Sequence, residues 1–319
     1  MLYPIVNLRN KEVCKMKNYN FMEKQKTAFI IAAVVIVLGV VSMIFRGFNL
    51  DIDFAGGSEL SVTIGKNVSG EIDTIKDIVK EATGLEASSV AKSGADSNQA
   101  IIKTKELSTE QTDKLFEALK EKYDLKADTF DSIDTVGSTI SGETQKTAIM
   151  SCLIAVLLIL VYITIRFQFT SGLSSIACLA FNIFTMLAFY SLLQIPVNSN
   201  LIAACLTILG YSINATIVVF DRVRENNKKF KQTSFEENAN NAIKQTLARS
   251  VSTTITTLLT ITMVYILGVD SIKNFALPII IGIIAGVFSS VFLGAPLWSF
   301  FNKIFAKKSK QNKTELNKA

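Results

Sequence analysis

Leu209–Asn227 reads LGYSINATIVVFDRVRENN, and the chain is organised around it. An apolar run that begins near Asn200 is about one membrane span long and stops abruptly at Asp221, Arg222, Arg224 and Glu225. Within it sit Tyr211, Ser212, Asn214 and Thr216, polar groups at a depth where unpaired ones are costly. At roughly 1.5 Å of rise per residue, Asn214 lies on the order of 10 Å below Asp221. A helix that carries amide and hydroxyl groups so deep either packs them against a neighbouring helix or lines a path with them. Packing is the commoner use of scattered Ser, Thr and Asn.

Working outward, five more runs of span length appear, at Thr27–Phe45, Thr147–Ile165, Leu173–Leu193, Val251–Gly268 and Phe275–Phe301. The 319 residues are 49% hydrophobic with a mean hydropathy of +0.37, and that excess is clustered in these runs. The class is therefore a polytopic α-helical membrane protein with six transmembrane helices and one polar insert. The predicted organisation is a tail at 1–26, a first span at 27–45, the insert at 46–146, a five-span bundle at 147–301 with a connector at 221–249, and a tail at 302–319.

Charge orients these parts. Residues 1–26 carry six basic residues against two acidic, the connector 221–249 seven against four, and the tail 302–319 six against one. The insert carries 12 basic and 19 acidic residues. The positive-inside rule then makes both termini cytoplasmic and the insert extracytoplasmic, in a cell membrane. The first span follows a long polar tail and lacks a small-residue cleavage site, so it is not expected to be a removable signal. Cys14, Cys152, Cys178 and Cys205 have no metal-ligand spacing and are expected to be reduced.

The insert has the pattern of a small α+β domain. Strands are predicted at Glu59–Ile64, Ser88–Lys92, Gln99–Thr104 and Thr129–Val136. Helices are predicted at Glu71–Thr83, with Ile72, Ile75, Ile78, Val79 and Ala82 on one face, and from Ser108 to Tyr123. The second opens with the spacing of a capping box, Ser108 to Gln111, and turns Leu115, Phe116 and Leu119 inward. The order β-α-β-β-α-β is the ferredoxin-like arrangement. Before it, Gly56 and Gly57 mark a tight turn, and Asp51 and Asp53 are expected to be solvated turn acids. On the opposite side, Ser234–Gln245 is amphipathic at helical spacing. It fits a helix lying at the membrane surface or a solvated linker helix.

No catalytic constellation emerges. There is no histidine, no glycine-rich phosphate loop, no GxSxG, HExxH or CxxC, and no Asp or Glu within the six apolar runs. An enzyme is not expected, nor a cofactor, a metal or a nucleic-acid partner. One further polar stretch remains, Arg249–Thr262, RSVSTTITTLLTIT. Thr253, Thr256, Thr257 and Thr260 share one helical face behind Arg249 and Ser250. Such hydroxyls either bond their own helix's carbonyls or line a path for an ion.

Three stretches together resemble the SecD/SecF family of protein-export subunits, relatives of the resistance–nodulation–division exporters. They are Arg46–Ser58 (RGFNLDIDFAGGS), Gly210–Asn226 with its GYSIN and FDRVREN ends, and Thr246–Ser250 (TLARS). The resemblance is to the SecF half and covers nearly the whole chain. It implies half of a pseudo-symmetric twelve-helix bundle completed by SecD, which works with the SecYEG channel and other Sec accessory subunits. Such a unit uses an ion gradient to draw exported, unfolded polypeptide outward across the lipid membrane. It marks Gly56, Gly57, Asp221 and Arg222 as signature residues, and Tyr211, Asn214, Ala215, Arg249, Ser250, Thr253, Thr256 and Thr257 as the candidate ion path. One departure matters. The family pattern has Asn-Asp-Thr in the fourth span, the Asp carrying the proton opposite the fifth-span Arg, whereas Asn214-Ala215-Thr216 stands here. Alanine cannot titrate, so a carboxylate would have to come from SecD, aligned with Asn214. The alternatives are sodium coordination by Asn214 and the threonine hydroxyls, or a half that has lost coupling. The competing readings of function are a passive scaffold that holds SecD to the channel, and half of a small-molecule exporter. An insert of about a hundred residues argues against the last.

Overall fold

The computed structural model describes residues 20–94, 97–125, 129–166, 168–268 and 270–316. Cys14, most of the basic N-terminal tail and part of the turn at 93–98 lie outside these residues. The chain divides into two compact units, one of residues 49–150 with 196–199 and one of the remainder.

The smaller unit starts with a short helix, α1 (Ile52–Ala55). It continues β1 (Gly57–Thr63), α2 (Ile72–Thr83), β2 (Ser89–Ser93), β3 (Gln99–Thr104), α3 (Thr109–Tyr123) and β4 (Ser132–Val136). A single 3-10 turn at Val68–Gly70 lies between β1 and α2. The strands form one antiparallel sheet in the order β2-β3-β1-β4, the ferredoxin-like topology. Leu60 on β1 stands opposite Ile102 on β3 and Ile133 on β4, which fixes the face turned to the helices. Leu60, Val62, Ala100 and Ile102 from the sheet pack with Ile75 and Val79 of α2 and Leu115, Phe116 and Leu119 of α3. Ile72, Ile78 and Ala82 close the rim. The capping box forms in both directions: Ser108 Oγ accepts from Gln111 N at 3.3 Å, and Gln111 Oε1 accepts from Ser108 N at 3.0 Å. Gly57 has φ +138°, and a Cβ there would collide with the Thr104 carbonyl oxygen, so β1 approaches β3 only through glycine.

The larger unit is helical. Its helices are α4 (Gln25–Arg46), α5 (Ser138–Arg166, shared with the smaller unit), α6 (Phe169–Leu193), α7 (Ser199–Lys229), α8 (Phe235–Leu267), α9 (Asp270–Phe288) and α10 (Gly294–Leu316). A five-residue π-helical turn, Ser289–Leu293, joins α9 to α10 so that they run on as one span. Six helices among the described residues are long and apolar enough to cross a membrane. Exposed apolar side chains such as Ile30, Val37 and Leu38 on α4, and Ile149, Leu153 and Leu157 on α5, suit contact with lipid.

The stretch 234–245 is neither a surface helix nor a linker. It is the first third of α8, continuous with the span, because its apolar face has a protein partner. Ala239, Ala242, Ile243 and Leu247 pack with Phe21, Met22, Val219, Phe220, Val223 and Trp298. At the other end of the bundle, Arg46 donates to the Leu192 carbonyl at 2.8 Å. Ser191 Oγ donates to the Gly47 carbonyl at 2.8 Å. The last turns of α4 and α6 are thereby tied together.

Candidate functional site

Of the two acids before β1, Asp51 is buried and Asp53 half-buried, and both are engaged in hydrogen bonds. Asp51 is only 7% exposed. Its Oδ1 lies 2.5 Å from Lys103 Nζ and 2.8 Å from Ile52 N, which it caps as α1 begins. Lys103 also meets Glu59 at 2.9 Å. Burial lowers the Lys103 pKa, but the hydrogen bonds and charges of Asp51 and Glu59 outweigh it, so the ammonium is held above its ordinary value. Asp53 Oδ2 accepts from Ser199 N at 2.8 Å, occupying an otherwise unsatisfied donor at the start of α7. Alongside, Leu50 forms a parallel bridge with Val197, and Asn49 O and Val197 O each accept a backbone hydrogen bond across it. Sequence reasoning missed this role because two acids beside a glycine pair have the composition of an exposed turn. The matching lysine is fifty residues away.

On α7 the polar residues part company. Ser212 and Thr216 face inward with Ile208, Leu209, Val219 and Phe220, all buried. Asn214 is exposed, and Tyr211 and Ala215 are half-buried. Tyr211 packs beside Ala204, Ile279 and Ile283 with Leu258, Ile261 and Phe275. On α8, Ser250 and Thr254 are buried, Arg249, Thr253, Thr256 and Thr260 are exposed, and Thr257 is half-buried.

The threonine hydroxyls are already engaged. Thr253 donates to Arg249 O at 2.9 Å, Thr256 to Thr253 O at 2.9 Å, Thr257 to Thr253 O at 2.9 Å and Thr260 to Thr256 O at 3.0 Å. Each proton goes to its own helix, one or two lone pairs remain outward, and no oxygens converge on a point. The Arg249 guanidinium has no hydrogen-bond or ion-pair partner among the described residues, although the Arg249 carbonyl accepts from Thr253. Exposed positions on α7 and α8 thus include an amide, a guanidinium and a row of hydroxyl oxygens.

The signature residues at the end of the α7 span do structural work. Arg222 Nε donates to Gln245 Oε1 at 2.5 Å, and Arg222 Nη1 meets Glu225 at 2.5 Å. Asn226, buried, donates to Asn238 O and to Gln245 Oε1, both at 3.2 Å. Asn238 Nδ2 donates to Asn227 Oδ1 at 2.9 Å. These bonds join the polar extension of α7 to the first turns of α8. Asp221 is exposed.

Comparison with known proteins follows the same plan. Residues 115–304 match the family model described as "Protein export membrane protein SecD/SecF, C-terminal". The chain is 33% identical to the protein translocase subunit SecF of Petrotoga mobilis over 88% of its own length and 95% of that protein. It is 33% identical to the protein translocase subunit SecDF of Bacillus subtilis, covering 88% of this chain and 38% of that longer one. The crystal structure of SecDF from Thermus thermophilus, described as a translocon-associated membrane protein, superposes with a TM-score of 0.80 at 33% identity. That match covers 89% of this chain and 39% of the other.

Proposed function

Because this chain belongs to the SecD/SecF family of protein-export membrane proteins, we propose that it serves Sec protein export as a SecF-type half completed by a SecD-type partner. The observation that carries this reading is the outward polar face of α7 and α8. Asn214, Arg249, Thr253 and Thr256 are exposed on span helices, and polar groups left to lipid are costly. A second helical half that covers them removes that cost. In the assembled unit the smaller domain lies outside the membrane and both termini lie in the cytoplasm. The whole works beside the SecYEG channel on unfolded polypeptide late in its export.

Energy coupling follows from what the face lacks. Ala215 cannot exchange a proton, and Arg249 is a fixed cation without a counter-ion of its own. A partner carboxylate beside Arg249 would be held ionised, because an opposite charge within about 4–6 Å lowers a carboxyl pKa by roughly one to three units. Proton arrival at that carboxylate would then release the pair. The second reading, a scaffold without coupling, is favoured by the threonine hydroxyls' turning to their own carbonyls.

The test is release of an exported protein, driven by the ion gradient after ATP-dependent initiation has been stopped. It is followed across pH and sodium concentration with the SecD partner present. We expect Arg249→Ala to slow release roughly tenfold or more, and Ala215→Asp to shift the pH profile by supplying a second carboxylate. A silent Arg249→Ala in both ions, with an unchanged profile for Ala215→Asp, would leave the scaffold reading.

A further inference from the structure

A groove between α4 and α10, at the membrane surface, takes no part in the proposed function. It encloses about 450 Å³ and is lined by Gln25, Phe29, Pro296, Leu297, Phe300 and Lys303, with Ser299 beside them. Gln25 opens the first span and Lys303 stands near the end of the last, so both helices bring a polar side chain to one membrane surface. From there the walls turn apolar on both sides. Phe29 lies about one turn deeper than Gln25, and Pro296 roughly 10 Å deeper than Lys303, at the usual rise of a helix. Phe29 and Leu297 rest on the buried cluster of Ala28, Ala32, Phe181 and Leu293, whereas Phe300 is 55% exposed. At the mouth, Lys303 Nζ meets Glu236 Oε1 at 2.8 Å, and Ser299 Oγ donates to the same oxygen. The Lys303 side chain is nevertheless 73% exposed, and its ammonium keeps further N–H donors. Lys307, Lys308 and Lys310 follow directly, in a tail of six basic residues and one acidic.

We propose that this groove binds one anionic glycerophospholipid, with an acyl chain along Phe29, Leu297 and Phe300 and the phosphate on Lys303. The inference requires only that α4 and α10 cross the membrane. An apolar slot that ends in an exposed ammonium at the depth of the headgroups is the complement of an amphiphile. Lysines clustered just past a span select a negative headgroup over a zwitterionic one. Glu236 neutralises part of the Lys303 charge, and the lysines beyond it restore the excess. An apolar partner helix laid across the groove would cover Phe300 but leave the cationic mouth without a counter-charge.

Trp298, the single tryptophan of the chain, lies between the lining residues Leu297 and Ser299 and reports on the groove. The test places the full chain in phosphatidylcholine vesicles that contain a small fraction of bromine-labelled phosphatidylglycerol, a short-range quencher of tryptophan. The expected result is quenching that saturates, exceeds that by the same fraction of bromine-labelled phosphatidylcholine, and is reversed by unlabelled phosphatidylglycerol. Lys303→Gln should raise the half-saturating fraction about fivefold, the equivalent of one surface lysine. Glu236→Gln, which breaks the ion pair and keeps the ammonium, should not raise it. Equal quenching by the two labelled lipids overturns the proposal. So does saturation that Lys303→Gln leaves unchanged but that replacement of Lys307, Lys308 and Lys310 by Gln abolishes, which assigns the attraction to the tail alone. Quenching that vanishes when a SecD-type partner, its own tryptophans replaced, is reconstituted with the chain overturns it in favour of a protein occupant.

Discussion

Lys103 shows how one side chain holds a motif that local sequence reads as a loop. Its ammonium meets Asp51 at 2.5 Å and Glu59 at 2.9 Å, and Asp51 is nearly inaccessible to solvent. Removing one partner of such a group strands the other. Lys103→Met is expected to destabilise the smaller unit by about 2–3 kcal/mol, the low end for a buried charged pair, because Lys103 and Glu59 retain some solvent. Thermal unfolding followed by a tryptophan-free probe of that unit, such as its tyrosine fluorescence, measures it; a loss below about 0.5 kcal/mol would contradict the account. Tyr123 gives a pH signature. Burial, and then its 3.0 Å hydrogen bond to Glu71, push the phenol up from 10.0 to about 12. The folded state therefore holds the proton more tightly than the unfolded chain. The associated stability is intact below pH 10 and lost as pH rises toward about 12, by at most about 3 kcal/mol. Tyr123→Phe should flatten that part of the alkaline stability profile, and an unchanged slope would show that other groups set it.

At the level of elements, legibility depended on whether a boundary is made by chemistry within the element or by partners outside it. β3 occupies the stretch its alternation predicts, Gln99–Thr104, and α3 starts at the capping box, since both signals are local. The span helices overrun their apolar stretches. α7 continues to Lys229 and α8 begins at Phe235, because polar residues end a hydropathy signal without ending a helix. The π turn after Phe288 has no local signature at all. The helical face of Thr253, Thr256, Thr257 and Thr260 could be read from spacing, but not its outward direction. In a membrane both surroundings of a span are apolar, so amphipathicity does not mark the inside. The hairpin between α7 and α8 supplies a test of the polar weld. Asn226→Ala removes one buried and one part-buried hydrogen bond and is expected to cost about 1–3 kcal/mol. Asp221→Asn, five residues earlier on the exposed surface, is expected to stay within about 0.5 kcal/mol. Thermal denaturation of the solubilised chain compares them, and equal losses would remove the distinction between weld and surface.

For the molecule as a whole, orientation in the membrane is the inference on which the others depend. Phe21 and Met22 pack at the same end of the bundle as Val223, Ala242 and Trp298, so the connector between α7 and α8 and the span-adjacent ends of both tails share one end. At the opposite end, Arg46 is bound to the Leu192 carbonyl, which makes it a poor free anchor despite its charge. Insertion machinery retains clustered Lys and Arg in the cytoplasm, and on that ground we propose that the sheet-bearing unit, with its excess of acids, is the part carried across. Replacing the natural cysteines and introducing one at Ser97, in the β2–β3 turn, should give a site that a membrane-impermeant thiol reagent labels from outside intact cells. Where an outer membrane is present it is permeabilised first. A cysteine at Ser309, in the basic tail, should react only after the inner membrane is opened. The paired design matters, because an unreactive Ser97 site alone would be explained by local burial. Labelling of the 309 site in sealed cells would put the two termini outside or on opposite sides. The outward face of α7 and α8 would then present Arg249 at the wrong membrane surface for the partner proposed here.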